Sequence, residues 1–361
     1  MNPLVQLKKV TPLFVLSFVF ASLAFLPQLP AVNPPPDGAY PGGNTAEGFN
    51  SLFHLSPQDG GFNTAIGFYA LFPNTTGSFN TAVGAGALDL NTGHNNTATG
   101  AAALLLNTTG NFNTAVGTGA LTFNNETGNT AVGAAALNMN TVGQGNTAVG
   151  AAALTFNVNG PGNTAVGAQA LQQNTQGGGN TAVGALALKN NAGGLGSSSQ
   201  NTAVGQGALE TTTGSARNTA LGRQALNLNT MGNSNTAVGA DALSGNSTGS
   251  DNIAVGDGAG GLLTTGSNNI DIGNDGVANE ANTVRIGTSG TQTDTYIAGI
   301  YGRPPGANTL PVVCADNGKL TANASSRRFK HDIKQMDSAS EAILAIKPVS
   351  FRYNNDSTNT P

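Results

Sequence analysis

Of 361 residues only 9% are charged, 6% are aromatic and none is Trp, while 51 are Gly, and the formal net charge is −4. That is far below the roughly 25% charge of an ordinary globular domain. Between Gly60 and Ser250 the only acids are Asp89, Glu126, Glu210 and Asp241 and the only bases Lys189, Arg217 and Arg223, so no basic stripe exists to track phosphates and nucleic acid is excluded as a partner.

Residues 1–31 read as an export signal. Lys8 and Lys9 form a charged start, and Leu13 to Leu26 an apolar run ended by Pro27. Small residues allow cleavage after Ala24 or Ala31. The run is shorter than the roughly 20 residues a spanning helix needs, so the mature chain is expected to have no membrane-spanning segment and to be secreted or held at a bacterial cell surface. One cysteine, Cys314, leaves no intrachain disulfide to brace an exported chain. Residues 32–43 are a Pro/Gly-rich linker.

From residue 44 to 260 the chain repeats itself. A version of Asn-Thr-Ala-Val-Gly opens at Asn 44, 63, 80, 96, 113, 129, 146, 163, 180, 201, 218, 235 and 252, a period of about 17. Fixed-period self-similarity is the signature of a solenoid. In the unit that begins at Asn163, Thr164 and Val166 share one strand face and Asn163, Ala165 and Gly167 the other. Ala170-Leu171 reads as a second short strand, and Asn174 to Gly177 as a turn. Gly and Asn interrupt every helical window. The expected fold is therefore an all-β β-solenoid of about 13 coils. Each coil is read as two short strands, with one Val and one Leu facing a core kept thin by Ala. In-register Asn at the head of each unit should form a side-chain amide ladder. Two large apolar residues per coil, at about 1.5–3 kcal/mol each, do not offset the cost of fixing 17 backbones at about 1–2 kcal/mol per residue. Association of chains is expected to supply the rest.

The pentapeptide resembles the head repeat of trimeric autotransporter adhesins of the YadA type, whose Asn/Ser-x-Ala-Ile/Val-Gly strands wind a left-handed β-roll; the period of about 17 is longer than that unit. The resemblance implies a homotrimer and a role in adhesion, with the repeated Asn/Thr/Ala face meeting a neighbouring chain, a host surface, a glycan or matrix.

The stretch Gly193 to Ser199 lengthens the repeat between Asn180 and Asn201 and reads as a surface loop. Residues 261–300 are degenerate capping coils around Asn269-Ile-Asp-Ile-Gly273 and Asn282-Thr-Val-Arg-Ile-Gly287, with a last short strand at Tyr296 to Ile300. Residues 301–324 are a linker followed by a hairpin, Leu310 to Cys314 and Asp316 to Leu320 about an Asn-Gly turn. Among weaker signals, Gly256 to Gly261 fits a dinucleotide fingerprint but lies inside a repeat. His54, His94 and His331 lack metal spacing. Asp251, Asp257, Asp271 and Asp275 cluster without a recurring carboxylate position, and no acid pair suits a glycosidase. No cofactor, metal or turnover enzyme is expected.

Residues 325–361 change character: six of the 14 Lys/Arg residues fall between Arg327 and Arg352. Ser338 and Glu341 make a capping box for a short helix stopped by Pro348, and Val349, Phe351 and Tyr353 alternate as a strand. Ser325-Ser-Arg-Arg-Phe-Lys330-His-Asp-Ile333, with Lys347-Pro-Val-Ser-Phe-Arg-Tyr353, resembles the start of the intramolecular chaperone domain of phage tail spikes, endosialidases and the myelin regulatory factor. The motif there is Ser-Asp-x-Arg-x-Lys. The resemblance implies a trimeric assembly domain that cuts itself off once, at Ala324–Ser325. Ser325 would be the nucleophile, Lys330 the base and Arg328 a supporting residue. Ser326 stands where the motif has Asp, and the segment reads as a truncated copy of the longer family domain.

Overall fold

The computed structural model describes residues 42–53, 60–193, 198–298, 312–314 and 318–322, and the chain divides after Thr288 into two units. The first is a parallel β-solenoid of about 14 turns, with no helix among the described residues. Its strands are β1 Thr45–Glu47, β2 Thr64–Ile66, β3 Thr81–Val83, β4 Thr97–Thr99, β5 Thr114–Val116, β6 Thr130–Val132, β7 Thr147–Val149, β8 Thr164–Val166, β9 Thr181–Val183, β10 Thr202–Val204, β11 Thr219–Leu221, β12 Thr236–Val238, β13 Ile253–Val255, β14 Ile270–Ile272 and β15 Val284–Ile286. They form one sheet in strict chain order. Like residues pair with like: Thr164 opposes Thr181, Ala165 opposes Ala182 and Val166 opposes Val183.

The repeating unit explains this register. The amide of Thr164 donates to the carbonyl of Asn180 in the next coil (2.8 Å), and that of Leu171 to Ala187 (2.9 Å). The amides of Gly167 and Gln169 turn the other way, to Val149 (2.8 Å) and Ala151 (3.0 Å). Each coil thus bonds both neighbours, and slipping by one residue would break all four kinds of bond while exchanging the two strand faces. Gly167 is required by contact. Its φ is +136°, and a Cβ there would lie 2.5 Å from the carbonyl oxygen of Gly184.

Two expectations about the coil are corrected. Val does not face the core: Ala165 is fully buried while Val166 is 37% exposed, and the inward columns are Ala, Ala and Leu, as at Ala165, Ala170 and Leu171. A coil this small has an interior that Ala fills, and the Asn on the same strand face must be inside to reach the turn carbonyl and the next coil's main-chain amide. The Thr/Val face is thereby left outside. The Ala170-Leu171 segment is also not a strand. Gln169 and Leu171 have φ of 57° and 51°, a left-handed conformation that costs an L-residue about 1–2 kcal/mol. The inter-coil bonds of these residues and complete burial of the Leu171 side chain hold it there. The expected Asn/Thr/Ala contact face is likewise overturned, since Asn and Ala are inside and only Thr of that set is outside.

The described part of the stretched repeat is no plain surface loop: Ser198 is buried, and its carbonyl accepts from Asn180 and Asn191 (2.9 Å each). At the C-terminal end β14 and β15 pair on after β13, and the step from Ile270 to Val284 is shorter than the one from Ile253 to Ile270. In the second unit β16 Val312–Cys314 pairs antiparallel with β17 Leu320–Ala322, which begins where the expected second strand ends, and Gly318 has a φ of 79°. The strand expected from Tyr296 is not formed at residues 296–298, where Tyr296 and Ile297 are exposed. Among the described residues no helix is long and apolar enough to cross a membrane. The export signal, the 301–309 linker, and the helix and strand expected after Ser338 lie outside the described residues.

Candidate functional site

Two buried columns of carboxamides form the spine that sets the outer surface. At the head column each Asn main-chain amide donates to Oδ1 of the Asn one coil earlier, as from Asn163 to Asn146 (2.8 Å), Asn180 to Asn163 (2.9 Å) and Asn201 to Asn180 (3.0 Å). The side-chain amide closes a turn, as from Asn163 Nδ2 to the Gly177 carbonyl (2.8 Å). The expected head ladder is therefore present, mainly as main chain to side chain.

The second column was missed. Asn174 Nδ2 donates to Asn157 Oδ1 (2.6 Å) and to the Gly177 carbonyl (2.9 Å), while its Oδ1 accepts from Asn191 Nδ2 (2.7 Å). It is a true amide-to-amide ladder, fully buried. Its signal was a second Asn recurring in step with the head Asn, as Asn157 follows Asn146, Asn174 follows Asn163 and Asn191 follows Asn180. Composition alone renders that Asn as a turn.

With Asn and Ala fixed inside, the solenoid presents a flat outer face two residues wide. From Thr64 to Ile286 every outward strand residue is Thr, Val, Ile or Leu, with no charge. The rungs repeat at the strand spacing of about 4.8 Å. Val116, Val132, Val149, Val166 and Val183 share the same partial exposure. On the first coils this face is flanked by exposed rings. Phe62 stacks on Phe79 (5.2 Å between centroids) on one side and Phe49 on Phe68 (5.6 Å) on the other. Tyr69 and Phe72 extend the second group edge to face (4.7 Å).

Charge gathers at the C-terminal end of the solenoid. Asp271 stands in the inward Ala column, 1% exposed, and neither carboxylate oxygen has a hydrogen-bond partner. Burial, and secondarily the Glu280 charge, push its pKa up to about 6 against the pull of Arg285. Arg285 instead forks Glu280, with Nε 2.8 Å from Oε1 and Nη2 2.7 Å from Oε2, which holds the Glu280 carboxyl below its usual range and raises the guanidinium. Asp251, Asp257 and Asp275 are exposed, and no group of three or more His, Cys, Asp or Glu among the described residues could hold a metal. His94 accepts at Nδ1 from the Ser78 amide (3.1 Å) on the surface. The Gly256–Gly261 run is part of a coil. Ser325, Arg328, Lys330 and the Ala324–Ser325 bond lie outside the described residues, as do His54 and His331.

A family model described as chaperone of endosialidase matches residues 325–360. No curated protein and no solved structure matches the chain. The solenoid and this C-terminal similarity together suggest a tail-fibre- or spike-like structural protein. The segment similar to the chaperone of endosialidase is a small part of the chain, begins at Ser325 and runs almost to Pro361.

Proposed function

We propose that this is an exported fibrous protein whose solenoids associate as a homotrimer through the Thr/Val face, with residues from Ser325 onward serving the assembly. The observation that carries this reading is the uncharged, part-exposed rank of Val, Ile, Leu and Thr on the consecutive strands β2 to β15. At about 4.8 Å per strand and about 3.3 Å per residue the face measures roughly 700 Å², close to the about 800 Å² per partner of a stable interface. A lone chain leaves that surface in water. The pentapeptide's resemblance to YadA-type head repeats supports the same arrangement, and the charged start and apolar run before Pro27 support delivery to the cell surface or beyond. Adhesion to a host surface, glycan or matrix is the role that suits such a fibre.

A second reading concerns the tail. The family match begins at Ser325, the residue that self-cleavage would make a new N-terminus. Ser325 Oγ would attack the Ala324 carbonyl carbon while Lys330 takes the hydroxyl proton. The peptide nitrogen would leave as an amine, and water would hydrolyse the resulting ester. A Lys can serve as base when desolvation lowers its pKa. This is one event per chain rather than turnover. A prophage tail fibre is a third origin for the same architecture, disfavoured by the export signal.

Sedimentation of the full chain tests the first reading. A trimer is expected, and the Val149→Asp, Val166→Asp, Val183→Asp variant should sediment as a monomer with its β-sheet circular dichroism retained. A monomeric wild type would overturn the reading. Mass spectrometry tests the second: a fragment beginning at Ser325, lost in Ser325→Ala, is expected, and an intact chain after prolonged incubation would refute it.

A further inference from the structure

The last coils carry a buried acid that neither the architecture nor the proposed assembly uses. In the inward column Ala220, Ala237 and Ala254 are followed by Asp271, and Asp271 is in register with Arg285 of β15. Buried polar atoms are almost always partnered, so two orphan oxygens on one carboxyl call for a physical explanation. The nearest cation is one rung away, yet its guanidinium is held by Glu280 across two hydrogen bonds from Nε and one from Nη2. Gly276 and Leu263 stand close by: a Cβ on Gly276 would lie 3.1 Å from Leu263 Cγ and 3.3 Å from Asp271 Oδ2.

We infer that Asp271, Glu280 and Arg285 form a proton-sensitive latch on the last two strands of the solenoid. With Asp271 neutral, the inward column stays dry and Arg285 remains on Glu280, as in the structure. With Asp271 ionised, a buried charge must either draw in water or draw Arg285 away from Glu280, and either change loosens β14 and β15. The charged groups acting on Asp271 are Glu280, from the turn between β14 and β15, and Arg285, from β15; β13, on its other side, is Ile253-Ala254-Val255 and brings none.

The direction of the effect follows from linkage. The folded-state pKa is raised from 3.8 to about 6. The latch is therefore fully closed below about pH 4 and weakens as pH rises through about 6. It lies on the solenoid side of the division after Thr288, so it governs the end from which the chain continues toward Ser325.

Amide hydrogen exchange of the full chain, read in peptides covering residues 262–287 and corrected for intrinsic rate, tests this. From pH 4.5 to 7.5 wild-type protection should fall by roughly tenfold or more, with peptides from residues 130–190 unchanged. Asp271→Ala restores the residue type of the preceding rungs and should be flat and more protected at pH 7.5. Glu280→Gln removes a charge that raises the Asp271 pKa and frees Arg285, so its midpoint should move to lower pH. Wild-type protection independent of pH in these peptides, or the same dependence in Asp271→Ala, would overturn the latch.

Discussion

Oδ1 of Asn246 has no donor, because Leu263 stands on the rung where the next carboxamide of the ladder would be. On the rung just below, the ladder continues, with Asn246 Nδ2 donating to Asn229 Oδ1 (3.0 Å). Above it Gly260 occupies the Leu position, with a φ of 63° close to the 51° of Leu243, and Leu263 fills the core from the Asn position. One coil has moved its Leu into the Asn position, left Gly in the Leu position and lost the carboxamide. The same interruption occurs at Asn191, whose Oδ1 is unpartnered where Thr212 follows.

These two positions should behave as a coupled pair. Leu263→Asn alone removes a buried Leu and should cost about 2–5 kcal/mol. Gly260→Leu alone overfills the coil, because a Cβ there lies 2.9 Å from Leu243 Cδ2, and should cost about 1–3 kcal/mol. The double variant rewrites the coil in the pattern of its predecessors and gives Asn246 its missing donor. Denaturant midpoints of the four proteins should yield a favourable coupling of about 1–3 kcal/mol. Strict additivity would show that the two positions do not share one core site.

Asn174 gives a direct reading of ladder polarity. Asn174→Ala takes from Asn157 Oδ1 its donor at 2.6 Å in a dry interior and leaves Asn191 Nδ2 with only its bond to the Ser198 carbonyl, at about 1–3 kcal/mol for the unsatisfied acceptor. Asn174→Asp keeps the shape but places an acceptor against Asn157 Oδ1 and the Gly177 carbonyl, both of which now receive a hydrogen bond. It should be the worse variant above pH 6 and recover part of the loss near pH 3, where the carboxyl can donate. A thermal melt at both pH values checks this, and equal melting of the Ala and Asp variants at pH 7 would contradict the assigned donor direction.

The repeat period, the split of strand faces and the head Asn ladder could be read from residues alone, because a strand's side chains alternate and an identical pentapeptide must stack in register. Which face points inward could not. Hydropathy ranks Val166 above Ala165 as a core residue, whereas the cross-section of so short a coil admits Ala and the buried Asn columns decide the matter. Leu171 was legible as core but not as a left-handed residue, since that conformation is imposed by bonds to the neighbouring coils. Asp271 resembled one of several scattered acids until register placed it under Arg285. At the tail, a short Ser-to-Lys motif was enough to foresee the similarity that begins at Ser325.

The inverted faces lead to opposite expectations for neighbouring residues. Ala165→Val adds two methyl groups to a fully buried column between Ala148 and Ala182, so it should cost about 1–3 kcal/mol by overpacking at any protein concentration. Val166→Ala removes a side chain that a lone chain leaves 37% exposed. In a monomer its cost should stay below about 1 kcal/mol, because only part of the roughly 1.5–3 kcal/mol of full burial is at stake. In a trimer joined through this face the same change is made three times in a buried interface, and the melting temperature should fall further as the protein is diluted. Melts of both variants across a hundredfold range of concentration separate the cases: a concentration-dependent deficit for Val166→Ala beside a constant one for Ala165→Val places the outer rank between chains, while two constant deficits leave it facing water.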